Sequence, residues 1–129
     1  MHILVAGSRS WTDYAEMVKT LDNIIREEQL PFADDVVIVS GGAKGADSLA
    51  ERYANEKGYE LLVIRAEWDK YGKSAGYRRN EEMHKVVATD VNRYCVCFWD
   101  GQSKGTAHNF ELAKEYKTPL CVIKKEIDW

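Results

Sequence analysis

Residues 36–58 read VVIVSGGAKGADSLAERYANEKG. Four β-branched residues in succession, 36–39, have the length and composition of a strand covered on both faces. The apolar period then changes. Ala46, Leu49, Ala50, Tyr53 and Ala54 recur at helical spacing up to Gly58, a natural helix C-cap. Between strand and helix lies a glycine-rich loop, residues 40–47. The same alternation extends in both directions. HILVAG (2–7), ELLVIR (60–65), RYCVCFW (93–99) and PLCVIK (119–124) are further strand candidates. Met17, Leu21 and Ile24, flanked by Val18 and Ile25, set a helix within 12–28, and others are expected over about 75–88 and 106–116, the last ending before Pro119. The order is βαβαβαβαβ. Apolar strands alternating with helices imply a parallel sheet covered on both faces, reached by right-handed crossovers. The expected fold is a Rossmann-like, doubly wound, three-layer α/β/α sandwich with five strands in order 3-2-1-4-5. Residues 66–74 form the longest stretch predicted to be irregular.

The chain has 129 residues, 18 Lys and Arg against 21 Asp and Glu, and 45% hydrophobic residues. Such a chain buries roughly 68% of its unfolded surface, enough for one self-sufficient domain over 1–129. No stretch approaches the roughly 20 apolar residues of a membrane span, and Met1 leads directly into a strand pattern, which sets the expectation of a cytoplasmic protein without a membrane partner. A net charge of −3 provides no general field for nucleic acid, so any anion must be held locally. Cys95, Cys97 and Cys121 sit inside apolar runs. They lack the usual ligand spacing and a fourth ligand for zinc, so buried thiols are expected and neither metal nor cofactor is implied.

In a doubly wound sheet the ligand crevice opens at the strand C-termini, where the strand order reverses. Three glycine-bearing loops fall there: Gly7-Ser8-Arg9, the stretch Gly41-Gly42-Ala43-Lys44-Gly45 leading to Asp47, and the loop from Asp100 through Lys104-Gly105-Thr106. Each runs into a helix start, where free N–H groups favour an anion. The second loop is neither a Walker A sequence nor a GxGxxG fingerprint, which argues against P-loop kinase and dehydrogenase chemistry. On the third helix Gly76, Asn80, Met83 and Val87 share one stripe. A buried Asn80 either ties down a loop or reads a ligand. Arg79, at the edge of the stripe, is the phosphate candidate, its alternative being an ion pair with Glu82 or Glu67. Trp68 is a candidate for stacking on a base or for closing the core, and Trp11 a weaker one. His84 is read as solvated, His2 as structural, and His108 as within reach of a ligand.

Four motifs in order along the chain, VAGSRSW, VSGGAKGADSLA, AEWDKYGKSAGYRRNEEM and FWDGQSKGTAHNFELA, resemble the YspA-like branch of the SLOG superfamily. The resemblance implies a Rossmann-like domain that binds nucleotides or nucleotide-derived ligands. It places Gly7, Ser8, Arg9, Gly41, Gly42, Lys44, Asp47, Arg79, Asn80, Gly105 and Thr106 in the pocket. Homo-oligomers are frequent among such relatives. In the LOG phosphoribohydrolases the last loop continues as Gly-Thr-x-x-Glu; here the Glu position is Asn109. An amide holds a ribose hydroxyl but cannot act as a general base.

Three functions follow as expectations. The first is a protein that senses or sequesters a nucleotide-derived signal such as a cyclic nucleotide or an ADP-ribose derivative, using the residues above with Gly45, Trp68, Lys104 and Asn109. The second is an N-glycosidase acting on a nucleoside phosphate, with Asp47 as acid or base, the alternative role of Asp47 being a first-turn acid that caps the glycine loop. The third is single-stranded nucleic-acid binding, against which the acidic balance argues. Arg9, Lys44, Arg79 and Lys104 are expected to converge on one edge.

Overall fold

A computed structural model describes residues 1–28 and 35–125. Five strands, β1 (His2–Gly7), β2 (Val37–Ser40), β3 (Glu60–Val63), β4 (Arg93–Trp99) and β5 (Leu120–Lys124), form one sheet in the order β3-β2-β1-β4-β5, with every pairing parallel. This is the order expected from the alternation of strands and helices. Helices α1 (Tyr14–Glu28) and α2 (Ala46–Lys57) cover one face; α4 (Ala75–Val87) and α5 (Lys104–Glu115) cover the other.

The two-residue period of the central strands sorts their side chains between two cores. Ile3 and Val5 of β1, with Val96 and Phe98 of β4, pack against Met17, Leu21, Ala50 and Tyr53. Leu4 and Ala6, with Cys95 and Cys97, pack against Met83, Val87 and Ala113. Each fully buried aliphatic contributes about 1.5–3 kcal/mol. Trp11 belongs to the first core, its ring 5.4 Å from that of Phe98, and is therefore closed off from any ligand. Cys95 and Cys97 are buried with their sulfurs 3.8 Å apart. No helix among the described residues is long and apolar enough to cross a membrane.

Two local expectations need correction. Residues 66–74 are not irregular: they hold a single helical turn, α3 (Trp68–Tyr71), and a 3-10 turn, Gly72–Ser74, so this segment is an ordered arm laid against α4. Helix α5 starts two residues earlier than expected, because Ser103 is its N-cap and the Ser103 Oγ accepts the Thr106 N–H at 3.3 Å.

Candidate functional site

The sheet order reverses between β1 and β4, and a cavity of about 480 Å³ opens at the C-terminal edge there. The end of β1, the turn after β4 and the first turns of α2, α4 and α5 all reach it. Ser8, 1% exposed, ties these loops together. Its amide donates to the Phe98 carbonyl, its carbonyl accepts the Ala46 N–H, and its Oγ accepts the Asp100 N–H at 3.0 Å. Ser8 thus holds the loops from behind and does not itself line the cavity. Ser8→Ala would leave the Asp100 amide without its partner, at a cost of about 1–2 kcal/mol measurable by denaturant titration. An unchanged unfolding midpoint would contradict this role.

Arg79 forms the central wall. Its Nη1 donates to the Gly41 carbonyl at 2.7 Å and its Nε to Asn80 Oδ1 at 2.9 Å. Among the described residues no carboxylate lies within ion-pair distance, so the expected alternatives Glu67 and Glu82 are not its partners. Two of its five N–H groups are engaged internally, and Nη2 lies on the Gly76 side of the cavity. Burial holds the guanidinium below its usual pKa, while the charge of Asp47 pulls the other way.

Asp47 lies across Gly41 from Arg79. Its Oδ2 accepts the Ala43 N–H at 3.1 Å, so it does cap the glycine loop. Burial pushes its carboxyl up from 3.8 to about 6, against the Ala43 amide and the charges of Arg79 and Arg9, which pull it down. Because Asp47 binds its proton more tightly folded than unfolded, its contribution to stability falls as pH rises from about 4 to 6 and is constant above. The span corresponds to about 2–3 kcal/mol.

The two asparagines have assigned orientations. Arg79 Nε can only donate, so the Asn80 oxygen faces it and Asn80 Nδ2 turns to the Gly105 carbonyl at 3.3 Å and to His108 Nδ1 at 3.4 Å. Asn109 Nδ2 likewise donates to the Gly105 carbonyl at 3.3 Å, which leaves its oxygen 3.0 Å from His84 Nε2. His84 must therefore carry its proton on Nε2. Both amides spend their oxygen atoms inside the protein and turn their N–H groups toward the last loop. His84, read as solvated from the sequence, is 0% exposed. It lies four residues beyond Asn80, only about 40° round the helix, and α5 covers that side.

Gly7, Arg9 and Trp68 also line the cavity, with Gly105, Thr106 and Asn109 on the α5 side. Gly41, Gly42 and Gly45 sit behind the lining. Lys44 and Lys104 are exposed and outside it, so the expected convergence of four cations reduces to Arg9 and Arg79. Lys73 joins them from the arm. Sequence reasoning missed Lys73, Tyr77, Ser10 and Asp100. Asp100 had a readable signal, as an acid opening a glycine turn: its Oδ1 accepts the amides of Gln102 and Ser103, both at 2.9 Å. Burial opposes ionisation of Asp100, yet these amides keep its carboxyl below the usual range.

Comparison with known proteins places this geometry. The profile of the YspA, cpYpsA-related SLOG family (YAcAr) matches residues 1–71. The Gene 61 protein of Mycobacterium phage D29 is 35% identical over 123 residues, 92% of each chain. The chain belongs to this SLOG family. A solved structure of DNA processing protein A from Streptococcus pneumoniae shares the fold of this SLOG domain, with a TM-score of 0.59 at 19% identity over 98% of this chain. The SLOG domain spans about half the length of that protein, 51%. The profile match covers β1, the second glycine loop and α3, but ends before α4, which carries Arg79 and Asn80.

Proposed function

We propose that this SLOG domain binds a nucleotide or nucleotide-derived signalling ligand, with its phosphate at Arg9 and Arg79 and its sugar toward Asn80, Asn109 and Asp100. The free edge of Arg79 carries the reading. Arg79 spends Nε and one Nη1 hydrogen on the protein and keeps Nη2 for the cavity, which Arg9 also lines, and these charged donors suit a ligand rich in anionic acceptors. The three helix starts at the cavity favour negative charge in the same place. Asp100, a carboxylate on the far wall, suits hydroxyl donors such as those of a ribose. The test is calorimetric titration with nucleoside 5′-monophosphates, 3′,5′-cyclic AMP and ADP-ribose. Binding of at least one that weakens when inorganic phosphate competes is the expected result; no heat from any of them would remove the proposal.

One observation favours a second reading, hydrolysis of an N-glycosidic bond. Asp47 lines the cavity with its carboxyl at about 6, in the range of a working acid or base. Release of free base from a nucleoside monophosphate would put this reading first. Asp47→Asn would then lower turnover by roughly 10² to 10⁴ while leaving binding within about threefold. Under the binding reading the same variant has a different signature. The Asn oxygen still accepts the Ala43 N–H, and no charge is buried, so stability at pH 7.5 should rise by about 1–3 kcal/mol and its dependence between pH 4 and 6 should flatten. Denaturant titrations at pH 5 and 7.5 check this; an Asp47→Asn chain less stable than wild type at pH 7.5 would contradict it.

A further inference from the structure

Among the described residues the large aromatic side chains that are exposed are Trp68, Tyr71 and Tyr77, at 51%, 36% and 47%, all within one stretch of ten residues, of which Trp68 and Tyr77 line the cavity. They are not equivalent. Tyr71 is covered by cations, with Arg78 4.4 Å and Lys70 5.1 Å from its ring centre, and it lies outside the main cavity. Tyr77 meets the ring of His108 edge-on, 4.7 Å between centres. Trp68 has neither an aromatic nor a cationic partner among the described residues, although it lines the cavity. Its position is nevertheless defined. The indole tip, Cη2, comes within 3.4 Å of where a Cβ on Gly76 would stand, so the ring rests on bare backbone at the first turn of α4. An alanine there would stand in ordinary van der Waals contact with the indole, and only a longer side chain would crowd it.

We infer that Trp68 is a stacking platform for a nucleobase. One part of the indole is seated on Gly76, where Arg79 Nη2 also approaches, and its free surface lines the same cavity as Arg79 and Arg9. A planar heterocycle laid on that surface, with Tyr77 beside it, places a phosphate toward the two arginines. Stacking of this kind accepts any base, because every base has a π face, and the larger purines gain more than pyrimidines. The selected ligand class is therefore base-bearing phosphates over simple sugar phosphates. This inference rests on the nucleotide reading above, and the two fail differently.

The test is calorimetry on wild type, Trp68→Ala and Trp68→Phe with AMP, CMP and ribose 5-phosphate. Wild type should bind AMP at least tenfold more tightly than ribose 5-phosphate, with CMP between them. Trp68→Ala should weaken AMP about tenfold and leave ribose 5-phosphate within twofold, and Trp68→Phe should retain most of the AMP affinity. Equal binding of AMP and ribose 5-phosphate to wild type, or an equal loss for both in Trp68→Ala, would overturn the platform while leaving phosphate recognition standing. Failure of all three compounds, and of 3′,5′-cyclic AMP and ADP-ribose, to bind wild type would overturn the platform and the nucleotide reading together.

Discussion

Arg79→Ala should lose at least tenfold in nucleotide affinity and also destabilise the fold. The affinity loss follows from the free Nη2 edge, since a guanidinium contact to phosphate is charge-assisted and worth about 1.5–3 kcal/mol. The stability loss follows from the internal edge. Removing Nη1 and Nε leaves the Gly41 carbonyl and the Asn80 oxygen without their partners, at about 1–3 kcal/mol. Freed of Arg79, Asn80 is also at liberty to rotate, which would turn an acceptor toward the ligand and weaken phosphate binding further. Arg79→Lys separates the two effects: a lysine supplies charge to the phosphate as a single point, but cannot reach both Gly41 and Asn80 through a rigid fork. Affinity is therefore expected to recover in part and stability very little. Nucleotide affinity unchanged in Arg79→Ala would remove this residue from the site.

Gly45→Ala should be the most destabilising single substitution in the glycine loops. Gly45 has φ +71°, and a Cβ there would drive into the carbonyl oxygens of Ser8 and Arg9, both fixed backbone atoms. The same Ser8 carbonyl receives the Ala46 N–H, so relief of the clash would break the joint between the first and second loops. Left-handed strain alone is worth about 1 kcal/mol, and displacement of backbone in a packed joint adds several more. Gly42→Ala makes the control. Gly42 shares the φ of +71°, but the new Cβ would meet chiefly the Arg65 side chain, which can swing aside, and the Val63 side chain. Gly42→Ala should therefore cost about 1–2 kcal/mol, while Gly45→Ala costs at least 3 kcal/mol or fails to fold. Thermal unfolding of the two proteins side by side reads the difference, and equal losses would show that strain, not the loop joint, dominates.

The strand order and the location of the cavity were legible because both follow from local pattern: apolar strands broken by glycine loops, and the rule that a doubly wound sheet opens where its order reverses. Asn80 and Arg79 were legible on and beside the apolar stripe of their helix, and Asn109 from the resemblance of the last loop to Gly-Thr-x-x-Glu. What those groups bond to was not. The sequence alone presents Arg79 as a phosphate ligand or a partner of Glu82 or Glu67, whereas its bond to Gly41 joins residues 38 positions apart. His84 was misread because its partner Asn109 lies on another helix, and no periodicity within α4 reports what α5 covers. Ser8 looked like a ligand donor, and only the tertiary structure turns its hydroxyl to the Asp100 amide. Lys44 and Lys104 stand in the right loops with side chains directed elsewhere, because loop membership does not set side-chain direction.

The most direct test of the central claim is to incubate the protein with an equimolar panel of nucleoside 5′-monophosphates, 3′,5′-cyclic AMP and ADP-ribose, separate the bound fraction by gel filtration, and identify it by mass. The account predicts that at least one panel member is retained intact by wild type and depleted at least tenfold in Arg79→Ala. Retention of none, or recovery of free base with the sugar phosphate in place of an intact nucleotide, would contradict it.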